Sequence, residues 1–195
     1  MLSESLQSVG LPLLYYENVS KRFGRTLAVN RVSLQVEAGS VLALLGENGA
    51  GKSTLIKMLS GVHGLDEGRI LFKGRPIESE ADRSGIAFIH QDLGLIDSLS
   101  AAENIAFSCG FPRRLGLIDW ARVRRKAREA LALVDGSIDP DTPVGELERT
   151  QKSLIAIARA LAMNAQLLIL DEPTAILPAD DAERLFEVLK RLREG

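Results

Sequence analysis

The stretch GENGAGKST, residues 46–54, decides the fold of this chain. It matches the pattern G-x-x-x-x-G-K-[ST] and stands between SVLALLG (residues 40–46) and a segment with helical spacing. The apolar run SVLALLG is typical of a strand buried on both faces. Glycines in such a loop let backbone N–H groups turn inward around phosphates, and the following helix N-terminus adds partial positive charge. The alternative is a glycine-rich turn that binds nothing.

The side chains of this loop point to a nucleotide with a magnesium ion. Lys52 can reach the β- and γ-phosphates, Ser53 can ligate Mg²⁺, and Thr54 stands beside it on the phosphate side. The predicted nucleotide-binding residues of the loop are Gly46, Glu47, Asn48, Gly49, Ala50, Gly51, Lys52, Ser53 and Thr54.

A second candidate site lies at QLLILDEP, residues 166–173. Asp171 and Glu172 follow a predicted buried strand, and in an open α/β sheet ligands bind at that edge. Asp171 is expected to hold Mg²⁺ through water. Glu172 is expected to orient and polarise the attacking water as a general base. The alternative is a solvated acidic pair that caps the next helix.

Composition restricts the class of protein. The 195 residues suit one domain, or one domain with a small appended subdomain, and 46% of them are hydrophobic and 26% charged. The net charge of −2 does not indicate a strongly basic nucleic-acid binder. Cys109 is the single cysteine, no apolar run approaches the ~20 residues of a membrane span, and the N-terminus resembles no secretion signal. We therefore expect a cytosolic protein whose membrane role, if any, is peripheral.

Strands and helices alternate along most of the chain. Strands are predicted at residues 13–19, 32–36, 69–74 and 85–90, and helices at residues 52–60, 120–134, from Thr150 onward and at 178–195. Gly61 is placed to end the first helix, and Asp119 is a plausible N-cap of the second. This order predicts an α/β fold with a parallel, right-handed βαβ core, into which a mainly helical middle is inserted.

The order of three motifs resembles the nucleotide-binding domain of ABC transporters: the phosphate loop, then IHQD, then LDEPT. The resemblance runs from residue 14 to 195. Three segments are most similar to the first ATPase half of bacterial importers for ribose, xylose, galactose and related sugars. They are GENGAGKSTLIKMLSG, IHQDLGLIDSLSAAENIAF and DEPTAILPADDAERLF. The resemblance implies a P-loop NTPase with a mostly parallel core sheet, a small antiparallel β subdomain and an inserted helical subdomain. Residues 1–92 and 150–195 would form the nucleotide-binding core, and residues 93–149 the helical subdomain.

The resemblance also implies roles for individual residues. Phe23 would stack on adenine, its alternative being a core phenylalanine. Gln91 would touch Mg²⁺ and water, its alternative being a polar strand-end residue. Glu172, Gln91 and Lys52 would be catalytic, and Ser53, Gln91 and Asp171 would hold the metal. The expected ligands are ATP and Mg²⁺. The residues AILP, 175–178, would contact the opposing domain.

The resemblance implies partners as well. These are a second ABC ATPase half in a dimer and membrane permease subunits that dock at residues 93–99, with no nucleic acid expected. The chain would lie in the cytoplasm, on the inner face of the bacterial membrane. The basic run ARVRRKAR, residues 121–128, could meet lipid head groups or nucleic acid, although a solvated helix face is the plainer interpretation. Cys109 and Trp120 are expected to be packing residues.

Two departures from the family pattern stand out. The family signature is a Leu-Ser-x-Gly turn, in which Leu147 fits while Glu148 and Thr150 replace the serine and the glycine. The switch histidine is expected on a strand beyond Gly195, and neither His63 nor His90 stands in its place. We therefore expect a fragment of a longer ATPase, with weak turnover by itself.

The leading function is an ATPase subunit that energises sugar import. A non-transport ABC protein acting on nucleic acid or the ribosome, and a nucleotide-binding half-site with little turnover, stay open as alternatives.

Overall fold

The computed structural model describes residues 11–47, 49–90, 92–171 and 179–194. Within these ranges eight strands and five α-helices follow one another. The chain divides into two compact units, and the division lies between Ser84 and Gly85. Each unit is described by itself.

The first unit is an antiparallel sheet with one helix. Its strands are β1 (Leu14–Phe23), β2 (Thr26–Val36), β3 (Glu67–Phe72) and β4 (Arg75–Pro76), in the order β2-β1-β3-β4. Helix α1 (Lys52–Leu59) follows the phosphate loop, and a short 3₁₀ turn spans Ala81–Arg83. Alternating side chains of the strands supply the buried face, as the period of two requires.

The core of this unit joins the sheet to α1. Tyr16 on β1 is buried, and its hydroxyl donates to the carbonyl oxygen of Leu55 on α1 at 3.2 Å. Burial raises the pKa of the Tyr16 phenol. The buried apolar residues of the unit are Leu14, Tyr16, Val19, Val29, Leu55, Met58, Leu59, Ile70 and Phe72.

The second unit carries a parallel strand pair and four helices. Strand β5 (Ile86–Ile89) pairs with β8 (Leu167–Leu170), with Ile86 opposite Leu167 and Ile89 opposite Leu170. Between them lie α2 (Ala101–Cys109), the short hairpin β6 (Arg113–Arg114) and β7 (Leu117–Ile118), α3 (Trp120–Val134), a 3₁₀ turn (Val144–Glu146) and α4 (Arg149–Ala162). Helix α5 (Ala179–Glu194) follows β8.

Helices α2, α3 and α4 pack on one another to form the core of the second unit. Their starts are set by side-chain caps. Ser100 and Glu103 form a capping box at α2, and Asp119 Oδ1 accepts from the N–H of Arg122 at 3.0 Å. Residues with almost no exposed surface in this core include Ile105, Leu131, Val144, Leu154, Ile155, Ile157 and Leu185.

Most predicted elements are confirmed. The strands predicted at 13–19, 32–36, 69–74 and 85–90 correspond to β1, β2, β3 and β5, and the helix predicted at 120–134 has those bounds. Gly61 follows α1 with φ 82°, and its N–H donates to Met58 at 3.2 Å, as expected of a helix stop. The α/β class, with an antiparallel subdomain and a parallel pair, is confirmed as well.

One predicted strand is wrong. The run SVLALLG, residues 40–46, has no strand conformation and is exposed throughout, with Leu45 88% exposed. Within the described ranges no strand pairs with it. An apolar run indicates burial, but a strand also needs a neighbour to accept and donate its ladder hydrogen bonds. The predicted core at 1–92 and 150–195, with a helical insertion at 93–149, stays a prediction.

Candidate functional site

Two glycines shape the predicted phosphate loop in the first unit. Gly49 and Gly51 have φ angles of 86° and 90°, in the left-handed region that side chains rarely adopt. Gly51 also lies against β2, because a Cβ built on it would stand 2.6 Å from the carbonyl oxygen of Ala28. Only glycine therefore suits position 51 on both counts. Asn48 lies outside the described residues.

Lys52 folds back over this loop. Its Nζ donates to the carbonyl oxygens of Gly46 at 2.6 Å and Glu47 at 2.9 Å. The N–H of Ala50 donates to Glu47 at 3.1 Å and closes the turn. The structure thus brings the ammonium of Lys52 together with the glycine loop, as the motif predicts.

The N-terminus of α1 is open to an anion. No side chain caps it, and its first turn contains no acidic residue. Helix N–H groups without a cap and the positive end of the helix dipole favour a phosphate. Ser53 is exposed and Thr54 half-buried, and neither hydroxyl makes a hydrogen bond to another described residue. The residues present fit a phosphate chain, and the Ser53 hydroxyl fits an oxygen ligand of Mg²⁺.

Phe23 ends β1 with an accessible ring. It is 42% exposed, so the alternative of a core phenylalanine is not supported. The imidazole of His63 meets it edge-on, with centroids 5.0 Å apart, and Lys21 Nζ stands 5.6 Å from the ring centroid. Lys21 is held in turn by Asp66 at 2.8 Å. No sequence pattern marked His63 or Asp66 as neighbours of this ring.

Asp171 marks the acidic strand end in the second unit. Its N–H donates to the carbonyl oxygen of Ile89 at 3.0 Å, so the ladder between β5 and β8 continues to this residue. The side chain is half-buried. Glu172, Gln91 and the segment AILP at 175–178 lie outside the described residues.

The altered signature turn begins α4. Glu148 is the N-cap residue, with φ −68° and ψ 159°, and its N–H donates to Oε1 of Gln151 at 3.1 Å. Its side chain is exposed. A carboxylate at this end complements the helix dipole. Thr150 is buried, and its Oγ1 has no hydrogen-bond partner among the described residues.

The loop of residues 93–100, which contains the predicted docking segment, is held by two side chains of the neighbouring helices. The guanidinium of Arg159 on α4 donates to the carbonyl oxygens of Leu93 at 2.7 Å and Gly94 at 2.6 Å. Burial lowers the pKa of Arg159. Asn104 on α2 accepts from the N–H of Ile96 at 2.8 Å and donates to three carbonyl oxygens, those of Ile96, Leu99 and Ser100.

The lone thiol is a packing group. Cys109 is half-buried against the core of the second unit, and burial raises its pKa. Trp120 is 42% exposed, and its ring packs edge-on against Phe111 with centroids 6.0 Å apart. In the described part of the chain no three His, Cys, Asp or Glu side chains are grouped for a metal ion, and no helix has the length and apolar character to cross a membrane.

Sequence comparison gives a consistent set of relatives. The profile of the ABC transporter family matches residues 29–175. The ribose import ATP-binding protein RbsA of Chromobacterium violaceum is 49% identical over 182 residues, which are 91% of this chain and 36% of that protein. RbsA of Corynebacterium glutamicum is 46% identical over 187 residues, which are 94% of this chain and 36% of that protein. The chain spans about a third of the length of these relatives.

Solved structures agree in fold. The structure of cbiO1 from Clostridium perfringens, part of the ABC transporter complex cbiONQ, has a TM-score of 0.82 at 29% identity and covers 94% of this chain and 74% of its own. The ATP-binding cassette MJ0796, in a dimeric post-hydrolysis state bound to ADP and Pi, has a TM-score of 0.71 at 26% identity, with coverage of 93% and 83%.

Proposed function

Because this chain belongs to the ABC transporter family, we propose that it binds ATP with Mg²⁺ at the loop of residues 46–54 and hydrolyses it to energise sugar import. The observation that carries the proposal is the position of Lys52. Its ammonium lies over a glycine loop that leads into an uncapped helix N-terminus without acidic residues. A cation, loop amides and a helix dipole converging in this way suit a phosphate chain.

Each site residue has a distinct task in this proposal. Lys52 would bind the β- and γ-phosphates, while Ser53, Asp171 and Gln91 would hold the metal. Glu172 would orient and polarise the attacking water as a general base, and Gln91 would touch that water. Bound Mg²⁺ supplies neutralisation of the charge that develops on the phosphates. Ser53 is exposed in the first unit and Asp171 is half-buried at the end of β8 in the second, so each by itself can offer an oxygen ligand.

Phe23 is proposed to stack on adenine. Stacking of a base on an aromatic ring is worth ~1–3 kcal/mol. The exposure of the Phe23 ring and the edge-on contact of His63 beside it support this role.

The transport role rests on the relatives. Proteins named ribose import ATP-binding proteins are 41–49% identical over most of this chain, which favours import over a non-transport function. We propose a second ABC ATPase half and membrane permease subunits as partners, at the inner face of a bacterial membrane. Residues 93–99 are the proposed permease contact. Ile96 is 41% exposed there, while Arg159 and Asn104 hold the backbone in place.

The signature turn makes the two nucleotide sites of such a pair unequal. The γ-phosphate bound to the partner's phosphate loop would face Glu148, which accepts hydrogen bonds and adds negative charge. Two unit charges ~4 Å apart repel by about 4 kcal/mol at an effective dielectric of 20. That repulsion is at least as large as the cost of one lost oxyanion-type donor, which is about 2.7–4 kcal/mol. The exposed carboxylate of Glu148 at the start of α4 supports this asymmetry.

ATP titration in a calorimeter with magnesium present tests the proposal. We expect heat of binding from the unmodified chain and its loss in Lys52→Ala. Lys57→Ala is the matched control, because Lys57 is an exposed lysine on the same helix. If both alanine variants bind ATP as the unmodified chain does, the phosphate site is assigned wrongly.

A further inference from the structure

The hairpin of β6 and β7 lies between α2 and α3 in the chain, and its residues 113–118 are all exposed. Arg113 pairs with Ile118, and Arg114 with Leu117. The two residues at its tip, Leu115 and Gly116, have φ angles of 52° and 84°. Two positive φ angles in a two-residue loop are typical of a type I′ turn. The N–H of Asp119 donates to Pro112 at 2.8 Å and closes the base.

The tip of this hairpin contains exposed leucines and a strained backbone, neither of which stabilises the hairpin itself. Leu115 is 97% exposed and Leu117 76% exposed, so neither gains from burial. A type I′ turn favours Asn or Gly, and a leucine in the left-handed region is strained. The hairpin of β3 and β4 has the same kind of turn, with φ 52° at Lys73 and 74° at Gly74, and places a lysine at this position. An exposed, strained leucine without a local benefit indicates a contact outside the chain.

The sequence segment that contains the tip is strongly basic. Residues 111–128 contain seven basic residues and one acidic residue, a formal charge of +6, in a chain whose net charge is −2. Arg113, Arg114, Arg122, Arg125, Lys126 and Arg128 are all exposed. Among the ion pairs of the described residues, the only one from this segment joins Arg124 to Asp141.

We propose that the hairpin and the first turns of α3 rest on the anionic lipid head groups of a bilayer, with Leu115 inserted among them. An apolar tip that directly follows the exposed Arg113 and Arg114 matches such a surface, since cations bind the lipid phosphates and apolar side chains enter the interface. Trp120, half-exposed at the base of the hairpin, has the amphipathic ring that is enriched at this depth. The inference deepens the membrane location in the proposed function and names the surface that meets the lipid.

The charge of this surface favours lipid over a permease loop. Cytoplasmic loops of membrane proteins carry an excess of Lys and Arg, which would repel a segment of charge +6. Anionic lipids attract it, and each Lys or Arg near the surface strengthens binding about fivefold. Removing Arg113 and Arg114 together is therefore expected to weaken binding more than about tenfold.

Vesicle binding by the full chain tests the inference. The probes are vesicles of phosphatidylcholine alone and of phosphatidylcholine with phosphatidylglycerol, and the readouts are co-sedimentation and the fluorescence of Trp120, the only tryptophan. We expect binding to the anionic vesicles, a blue shift of the fluorescence, and weakening by salt. We expect the double variant Arg113→Gln, Arg114→Gln to lose most of the binding. Leu115→Asn, which suits the left-handed turn better, is expected to lose the blue shift while the hairpin stays folded.

The other hairpin provides the matched control. The double variant Lys73→Gln, Arg75→Gln removes the same charge from the first unit and is expected to bind vesicles as the unmodified chain does. Equal binding to both vesicle types, or unchanged binding by the Arg113/Arg114 and Leu115 variants, would overturn the inference. Binding only to a purified permease in neutral lipid would overturn it as well. ATP titration of the same variants is expected to be unchanged, so that failure here is distinct from failure at the phosphate loop.

Discussion

The guanidinium of Arg159 on α4 donates to the carbonyl oxygens of Leu93 and Gly94, 2.7 and 2.6 Å away, and so ties the helix behind the signature turn to the loop after Gln91. Leu93 has a φ of 57°, a conformation that few non-glycine residues adopt. The planar guanidinium of Arg159 can donate to two adjacent carbonyl oxygens at once. The single ammonium of a lysine is poorly suited to this.

Replacement of Arg159 by lysine or alanine should release this loop. Hydrogen bonds to a charged group contribute about 1.5–3 kcal/mol each, so we expect Arg159→Ala to lower the free energy of unfolding by roughly 2 kcal/mol, given the partial exposure of the group. We expect the free energy of unfolding of Arg159→Lys to lie between those of Arg159→Ala and the unmodified chain. Urea unfolding measures the free energy of unfolding of each variant. If Arg159→Ala and the exposed control Arg128→Ala have the same midpoint as the unmodified chain, the hydrogen bonds of Arg159 contribute nothing to stability.

Alanine at Gly51 should impair nucleotide binding more than alanine at Gly49. Both positions have a left-handed backbone, so both variants are strained. Only at Gly51 does the new Cβ meet the carbonyl oxygen of Ala28, whereas at Gly49 nothing lies within 4 Å. We expect ATP to bind Gly51→Ala at least about tenfold more weakly than Gly49→Ala, a difference of about 1.4 kcal/mol. Calorimetric titration with ATP measures the affinities of the two variants. Equal affinities would contradict the packing of position 51 against β2.

The double change Glu148→Ser, Thr150→Gly should raise ATP turnover in an assembly with a second ATPase half. It removes the negative charge expected beside the facing γ-phosphate, and serine remains a good N-cap for α4. The measurement is steady-state hydrolysis with the partner's own phosphate loop intact. Glu146→Ser, which removes an exposed acid two residues away, is the control. If the double variant hydrolyses ATP no faster than the Glu146→Ser control, the two nucleotide sites are not unequal in the way proposed.

Asp66 should contribute an acid-sensitive part of the stability of the first unit. The hydrogen bond from the Lys21 side chain, followed by that from the backbone N–H of Arg22, holds the pKa of Asp66 below its usual range. Its contribution is therefore present above the unfolded pKa of about 3.9 and is lost as pH falls through the lower folded value.

Thermal unfolding of Asp66→Asn across this pH range tests the sign. We expect a lower Tm than that of the unmodified chain at neutral pH and a smaller difference below about pH 4. Glu78→Gln, an exposed acid of the same unit, is the control. A difference that stays constant with pH would show that Asp66 does not act through its charge.

Local features of the chain were predictable because their causes lie within a few residues. The bounds of α3 follow from the cap at Asp119 and the glycine and prolines after Val134, and the structure agrees. The glycine pattern of the phosphate loop likewise predicted the turn into α1, since only glycine suits the backbone angles there.

No pattern in the sequence predicted the contacts between residues that are far apart in the chain. His63 beside Phe23, and Asn104 beneath the loop of residues 96–100, are polar side chains whose partners depend on the packing of separate elements. Period and composition describe which side of an element is apolar, but they do not say which polar group will meet which carbonyl.

By itself the sequence determined the glycine pattern of the phosphate loop, most of the order of strands and helices and the family, because spacing, caps and glycine positions act locally. Only the tertiary structure decided that Arg159 holds the loop at Leu93, that Glu148 caps α4, that the run at residues 40–46 is exposed, and that Leu115 projects on a hairpin. These features depend on which surfaces meet across long separations in the chain. That is settled by the packing of the whole unit and not by any single segment.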